Sequence, residues 1–299
     1  MPAKSAAAMA SFAPRRSARL ATTGSVWVAR HGQRIDQADG DWWETASRPH
    51  DPYLTELGMR QAEAAGRELA SQGVDDSYIV YSSPFLRCVQ TAQAIARELG
   101  VGTIRIEPGL AELLCGPACP VHTSLFPHES HEHDNLCFVQ ADGFASRLRF
   151  TLTERRHEEW FDFGEGYRSG MPMDAGMSMA SLTKQFGKLI DATYKPFLDA
   201  PERSGQLAPS TEVIRFPEEW HEGVDRYERT LTALRKASPR CVLVTHGAGV
   251  QACAESCPGI DMADMDIDYC CLTNIWRQGE VEQWKCGMLA SAAHTADLD

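Results

Sequence analysis

The feature that most constrains this chain is a short pattern that occurs twice, an apolar run ending on His-Gly. Val28-Ala29-Arg30-His31-Gly32 stands near the start, and Leu243-Val244-Thr245-His246-Gly247 lies more than 200 residues downstream. Both runs are apolar at successive positions rather than at alternate ones, which suits interior strands covered on each face. Glycine after the His lets the chain turn away from the strand end. In open α/β sheets, ligands bind outside the carboxyl ends of the strands, so two such His residues are placed to share one pocket.

The rest of the chain supports such a sheet. Strands are expected at Ser25–Ala29, Ser77–Ser82, Thr103–Glu107 and Cys241–Val244, with two more near Tyr269–Trp276 and Val281–Trp284. Helical spacing runs over Thr55–Gln72, with Leu57, Ala65 and Leu69 on one face, and from Ser83-Pro84 to Gly100, with Val89, Ala92, Ile95, Ala96 and Leu99 as its stripe. In the second helix, Ser83 is placed to act as N-cap with Pro84 in the first turn. Further helices are expected over Ser178–Tyr194, over Glu219–Lys236 with Trp220, Val224, Tyr227, Leu231 and Leu234 inward, and over Ala248–Ser256. Strands alternating with helices predict an α/β fold, a largely parallel sheet flanked by helices on both faces. The rhythm breaks over residues 115–176, read as a long cap insertion in a catalytic domain spanning 25–299.

Composition sets limits on function. The 299 residues carry 29 Lys and Arg against 41 Asp and Glu, a net charge of −12, which argues against nucleic acid or anionic lipid as a partner. Polar residues interrupt every apolar run too early for a membrane-spanning helix. Ten Cys without a secretory signal are expected to be reduced thiols in a cytoplasmic protein. Residues 1–24, basic and without Asp or Glu, read either as a flexible tail or as a mitochondrial or other organelle-targeting segment.

An acidic protein that binds an anion needs a local cationic pocket. Arg30 and Arg34 flank His31, and Arg87 sits in the first turn of the helix after Ser83-Pro84, just past a strand end. Three guanidiniums near one point repel each other unless an anion neutralises them, and their planar forks suit a phosphate group. Such surroundings favour the neutral, nucleophilic form of His31. His246 would then stabilise the phosphoryl oxygens, and Glu112, just past the third strand, would protonate the leaving oxygen. Glu107 is expected in or under the strand.

Four ordered segments carry a resemblance: Arg30-His31-Gly32; Ser82-Ser83-Pro84-Phe85-Leu86-Arg87-Cys88-Val89-Gln90-Thr91-Ala92; Glu107-Pro108-Gly109-Leu110-Ala111-Glu112; and Thr245-His246-Gly247. In these the chain resembles the histidine phosphatase superfamily, with its phosphoglycerate-mutase-like fold. Arg34 with Asp36, and Tyr194-Lys195-Pro196, are most similar to the phosphatase domain of the Sts (TULA) proteins. Gln33, where Glu is common, and the segment after Glu112 depart from that pattern. The resemblance implies catalytic His31, Glu112 and His246, phosphate-binding Arg30, Arg34, Arg87 and His246, and no cofactor or metal. It implies a metal-independent phosphomonoester hydrolase acting on a phosphorylated small molecule or phosphoprotein, with a homodimer left open. The alternatives are a mutase-type phosphotransferase, disfavoured by Arg34 and Gln37, and a non-catalytic phospho-ligand binder.

Two clusters stay open on sequence alone. Cys115, Cys119, His122, His128, His131, His133 and Cys137 could ligate zinc or belong to a polar cap loop. Trp42 and Trp43 either face the substrate or pack beneath the insertion. Met171, Met173, Met177 and Met179 read as adaptable packing.

Overall fold

The computed structural model describes residues 24–39, 41–42, 45–48, 51–113, 139–141, 144–146, 176–197, 218, 220–262 and 265–298. Among the described residues six strands form one sheet: β1 (Gly24–Arg30), β2 (Ile79–Ser82), β3 (Ile104–Ile106), β6 (Arg240–Thr245), β7 (Leu272–Arg277) and β8 (Lys285–Cys286), in the order β3-β2-β6-β1-β7-β8. The first four in that order run parallel, while β7 and β8 pair antiparallel. A separate hairpin, β4 (Val139–Ala141) with β5 (Phe144–Ser146), falls inside the predicted insertion. The remainder of residues 115–175, with the whole Cys/His cluster, and the tail before Gly24 lie outside the described residues.

The double-sided burial expected of β1 is present. Val26 and Val28 belong to one hydrophobic cluster and Trp27 and Ala29 to the other, so alternate side chains feed opposite faces. α2 (Glu56–Ser71) and α3 (Leu86–Leu99) cover one face. α5 (Trp220–Ala237) and α6 (Gly247–Glu255) cover the other. Short α1 (Ile35–Ala38) follows the first strand end, and α4 (Met179–Phe186) precedes a single 3-10 turn.

Local signals set several boundaries. Thr55 caps α2, its hydroxyl accepting from the Gly58 N–H at 2.9 Å. Gly100 ends α3 at φ +73°, a left-handed position suited to glycine. The predicted helix Ser178–Tyr194 is shorter, because Gly187 turns to φ +57° and stops it. The expected strand at Val281–Trp284 lies instead at Lys285–Cys286, and Val281 is fully exposed in the preceding turn. α5 buries Arg226 and Thr230 as well as Tyr227, Leu231 and Leu234, while Trp220 and Val224 are only half-buried.

Candidate active site

Strand register brings the two histidines together. Arg30 pairs with Thr245 across the parallel β1–β6 ladder, and the His31 N–H donates to the Thr245 carbonyl at 3.0 Å, so the next residues, His31 and His246, leave adjacent strand ends side by side. Their ring centroids are 5.3 Å apart, edge to face, and both rings are almost wholly buried. β2 ends beside β6 in the same way, with the Ser83 N–H on the Val244 carbonyl at 3.0 Å. That places Ser83 and Arg87, in the first turn of α3, at the same edge.

The loop after His31 is held by close backbone approach. A side-chain carbon on Gly32 would press into the Gly58 carbonyl at the start of α2, and one on Gly58 would press into Gln33. The Gly32 N–H donates to the Thr91 hydroxyl at 3.1 Å, which in turn donates to the Arg87 carbonyl at 2.8 Å. The loop is thereby tied to both neighbouring helices. On its other side, Cys270 sits at φ +56°, in the left-handed region seldom used by a non-glycine residue, and its N–H donates to the His31 carbonyl at 3.2 Å.

Hydrogen bonding distinguishes the ring nitrogens. His31 Nδ1 lies 2.8 Å from the Gly32 carbonyl, an acceptor only, so Nδ1 carries the proton and Nε2 keeps its lone pair. His246 Nδ1 lies 3.0 Å from Glu112 Oε2, and its Nε2 lies 2.9 Å from the Ser83 hydroxyl. The consistent assignment has Nδ1–H donating to the carboxylate and the Ser83 hydroxyl donating to Nε2. Arg87 Nη2 reaches the same carboxylate oxygen at 3.3 Å.

Ser83 therefore does not cap α3 as the sequence suggested; Phe85 holds the N-cap position with no side-chain cap bond. Asp51 supplies the acceptor from outside the helix, its Oδ1 taking the Leu86 N–H at 2.7 Å, and the same oxygen lies 3.8 Å from Arg87 Nη1. Arg87 is 2% exposed, yet its Nε and Nη1 have no hydrogen-bond acceptor among the described residues. Buried donors without acceptors are costly, and an anion would satisfy them.

All six residues singled out in the sequence lie at or beside this edge. Arg34 makes a bidentate pair with Asp36, 3.0 and 2.8 Å, while its charge also acts on Glu112 and both histidines. Arg30 donates to the Ile267 carbonyl and stacks over the Tyr269 ring with its guanidinium carbon 4.4 Å from the centroid. Tyr269, half-buried with its ring 5.8 Å from that of His31, carries no sequence signal that would have placed it there. Glu107 is buried just past β3 and serves as an anchor, accepting from the Tyr194 hydroxyl at 2.6 Å and the Phe197 N–H at 3.0 Å. Trp42 packs edge-on against Tyr53, with centroids 5.9 Å apart, and Trp43 lies outside the described residues.

Burial and positive neighbours fix the protonation states. Burial first, then Arg87, His246, Arg30 and Arg34, holds His31 well below its ordinary value. Burial and Arg87 push His246 down to about 4 against the opposing pull of Glu112. Burial disfavours the Glu112 anion, but His246, Arg87 and Arg34 outweigh it and hold the carboxyl below its usual range. At neutral pH the site thus has two neutral imidazoles, one carboxylate and a surplus of guanidinium. His31, Glu112 and His246 offer ligand atoms within 4.8 Å of one another, as a metal trio would. The guanidiniums of Arg30, Arg34 and Arg87 act on the same space and oppose a cation.

Residues 26–135 match the sequence profile of the histidine phosphatase superfamily (branch 1), a span that includes His31, Arg34, Arg87 and Glu112 but not His246. The chain is 37% identical over 215 residues to mouse ubiquitin-associated and SH3 domain-containing protein A, and 28% identical over 213 residues to the human protein. Each alignment covers 60% of this chain and about a third of the relative, 33% and 32%. The ecdysteroid-phosphate phosphatase of the silkworm Bombyx mori is 33% identical over 115 residues, covering 29% of this chain and 17% of that protein. The chain thus spans only about a third or less of the length of these curated relatives. The crystal structure of the silkworm ecdysone phosphate phosphatase, in complex with tungstate, shares the fold with a TM-score of 0.52 at 17% identity, covering 89% of this chain and 93% of that one.

Proposed function

We propose that this chain, whose residues 26–135 match the histidine phosphatase superfamily, is a metal-independent phosphomonoester hydrolase working through a phosphohistidine on His31. The superfamily and its phosphatase-named members support a phosphatase. The observation that carries the mechanism is the state of His31: neutral, buried, with Nδ1 committed to the Gly32 carbonyl and Nε2 free to attack, beside an arginine with unsatisfied donors. Neutral imidazole is a competent nucleophile, and charge-assisted guanidinium donors suit the oxygens of a transferring phosphoryl group.

In this reading His31 Nε2 forms a bond to phosphorus as the ester P–O bond breaks. The departing oxygen takes a proton from Glu112. Water then attacks the phosphohistidine, giving its proton to the Glu112 carboxylate while the N–P bond breaks and inorganic phosphate leaves. Glu112 is ionised in the empty site, so it must be protonated before the first step. An arriving phosphate supplies the cause: its negative charge offsets Arg87 and Arg34 and raises the carboxyl's affinity for a proton. His246, which donates from Nδ1, and Arg87 are the groups placed to follow the phosphoryl oxygens through the transition state.

Purified protein should hydrolyse 4-nitrophenyl phosphate in the presence of EDTA, and His31→Ala should lower kcat by at least about a thousandfold. Activity that depended on an added divalent metal, or wild-type turnover by His31→Ala, would sink the mechanism. Ranking phosphorylated sugars, steroids and phosphotyrosine peptides by kcat/KM identifies the leaving group. A cytoplasmic setting is part of the proposal, supported by seven described cysteines that are all free thiols.

A further inference from the structure

The carbonyls of Gly109, Leu110, Ala111 and Glu112 have no place in a strand ladder, yet side chains from the far side of the site satisfy all four. Arg226, on the buried face of α5, donates from Nη1 to Gly109 at 2.9 Å and to Ala111 at 3.0 Å, and from Nη2 to Glu112 at 3.2 Å. The Tyr227 hydroxyl donates to Ala111 at 2.5 Å, and the Thr245 hydroxyl, one residue before His246, to Leu110 at 2.8 Å. The two remaining N–H donors of Arg226 form a bidentate pair with Glu218, both at 2.7 Å. All five guanidinium donors are therefore engaged, in a residue 3% exposed.

Packing alone does not explain this arrangement. A buried Arg–Glu pair costs several kcal/mol in desolvation, and apolar residues of similar volume often stabilise as well or better. What the pair provides is direction, since a planar fork held by Glu218 fixes where consecutive carbonyls must lie. The loop packs so closely on α5 that a side-chain carbon on Gly109 would run into Thr230. We propose that Arg226, held by Glu218, is a positioning residue that sets the backbone of Gly109–Glu112 so that the Glu112 carboxyl meets His246 and the leaving oxygen. The proposal rests on the reading of Glu112 as the proton donor given above.

Leaving-group dependence tests it, because a misplaced acid matters only where the leaving oxygen needs a proton. The parameter is kcat/KM, which reports the transfer to His31, for an alkyl phosphate and for 4-nitrophenyl phosphate. Glu112→Gln should cost the alkyl ester about a hundredfold or more, in line with general acid contributions of about 10²–10⁴, and the nitrophenyl ester far less. Arg226→Gln should show the same selectivity, about 30-fold against threefold or less, with orthovanadate affinity within about threefold of wild type. Tyr227→Phe, which removes one of the same hydrogen bonds without leaving a buried charge unpaired, should shift in the same sense by a smaller factor, and it decides the matter if Arg226→Gln does not fold. Adding Arg226→Gln to Glu112→Gln should cost little more, because both act through one group. Equal losses on the two esters, no loss, or additive losses in the double variant overturn the positioning role while Glu112→Gln remains selective. If Glu112→Gln itself is unselective, the acid assignment falls and the positioning role falls with it.

Discussion

At the scale of single residues, the site is built by committing one nitrogen of each histidine and leaving the other atoms to the chemistry. Gly32 holds Nδ1 of His31, and Ser83 holds Nε2 of His246, so Nδ1 of His246 faces Glu112. These neutral, buried rings have a cost that depends on pH. In the unfolded chain a histidine titrates near 6.5, whereas folded His246 sits at about 4 and His31 is also lowered. Between those values the unfolded state binds more protons, so stability falls as pH drops from about 6.5 toward 4. Glu112 adds to this from below: its folded value is depressed, so its contribution is present above about 4.5 and is lost as pH falls through the folded value. Denaturation midpoints measured from pH 7 to pH 4 should therefore decline steadily, and His246→Asn should decline less steeply over the same range. An unchanged slope in that variant would contradict the burial assigned to His246.

At the scale of elements, α3 carries Arg87 into the site and takes its N-terminal cap from elsewhere. Asp51 accepts from Leu86 and lies beside Arg87, so Asp51→Ala removes both a cap and a counter-charge. Loss of a cap costs about 0.5–2 kcal/mol. Leaving a buried arginine short of its partner raises that, so chemical denaturation should show at least about 2 kcal/mol of destabilisation. Asp51→Asn, which keeps an acceptor, should recover part of it.

The same element shows how much could be read in advance and how much could not. The stripe Val89, Ala92, Ile95, Ala96 and Leu99 and the stop at Gly100 were legible because helical period and glycine conformation are local properties. So were the two-sided apolar runs of β1 and β6 and the His-Gly at each end. The cap from Asp51, the recruitment of Ser83 by His246 and the place of Tyr269 were not, because each depends on residues distant in sequence meeting at one sheet edge. Arg226 interrupts an otherwise apolar face of α5 because that face also has to satisfy carbonyls of the Glu112 loop, while Thr230 lies where the loop packs so closely that a side-chain carbon on Gly109 would meet it. The final strand is displaced from Val281–Trp284 to Lys285–Cys286 because its β-prone residues fall in the turn before the pairing begins.

At the scale of the whole molecule, a net charge of −12 coexists with a cationic pocket whose Arg87 is surrounded by buried, neutral or paired groups. Inorganic phosphate should bind that pocket in the folded state only. At a hundred times its Kd it would add about 2.7 kcal/mol of stability. With about 2–4 °C per kcal/mol for a domain of this size, the Tm should rise by roughly 5–10 °C. Arg87→Ala should abolish most of the rise, whereas His31→Ala should keep it. A Tm indifferent to phosphate in the wild type would mean that the unsatisfied arginine donors do not mark an anion site.

The pairing of β1 with β6 also has a consequence for how the protein is made. β1 is complete by residue 30, but its partner on one side ends at Thr245 and on the other begins at Leu272. A ribosome must therefore synthesise the whole stretch from Arg30 to β6 before this strand, apolar on both faces, finds either neighbour. Until then it is an unpaired hydrophobic segment of the kind that nascent chains must keep from associating with one another. The two histidines can stand side by side only once this contact of high sequence separation has formed, the kind of pairing that slows folding.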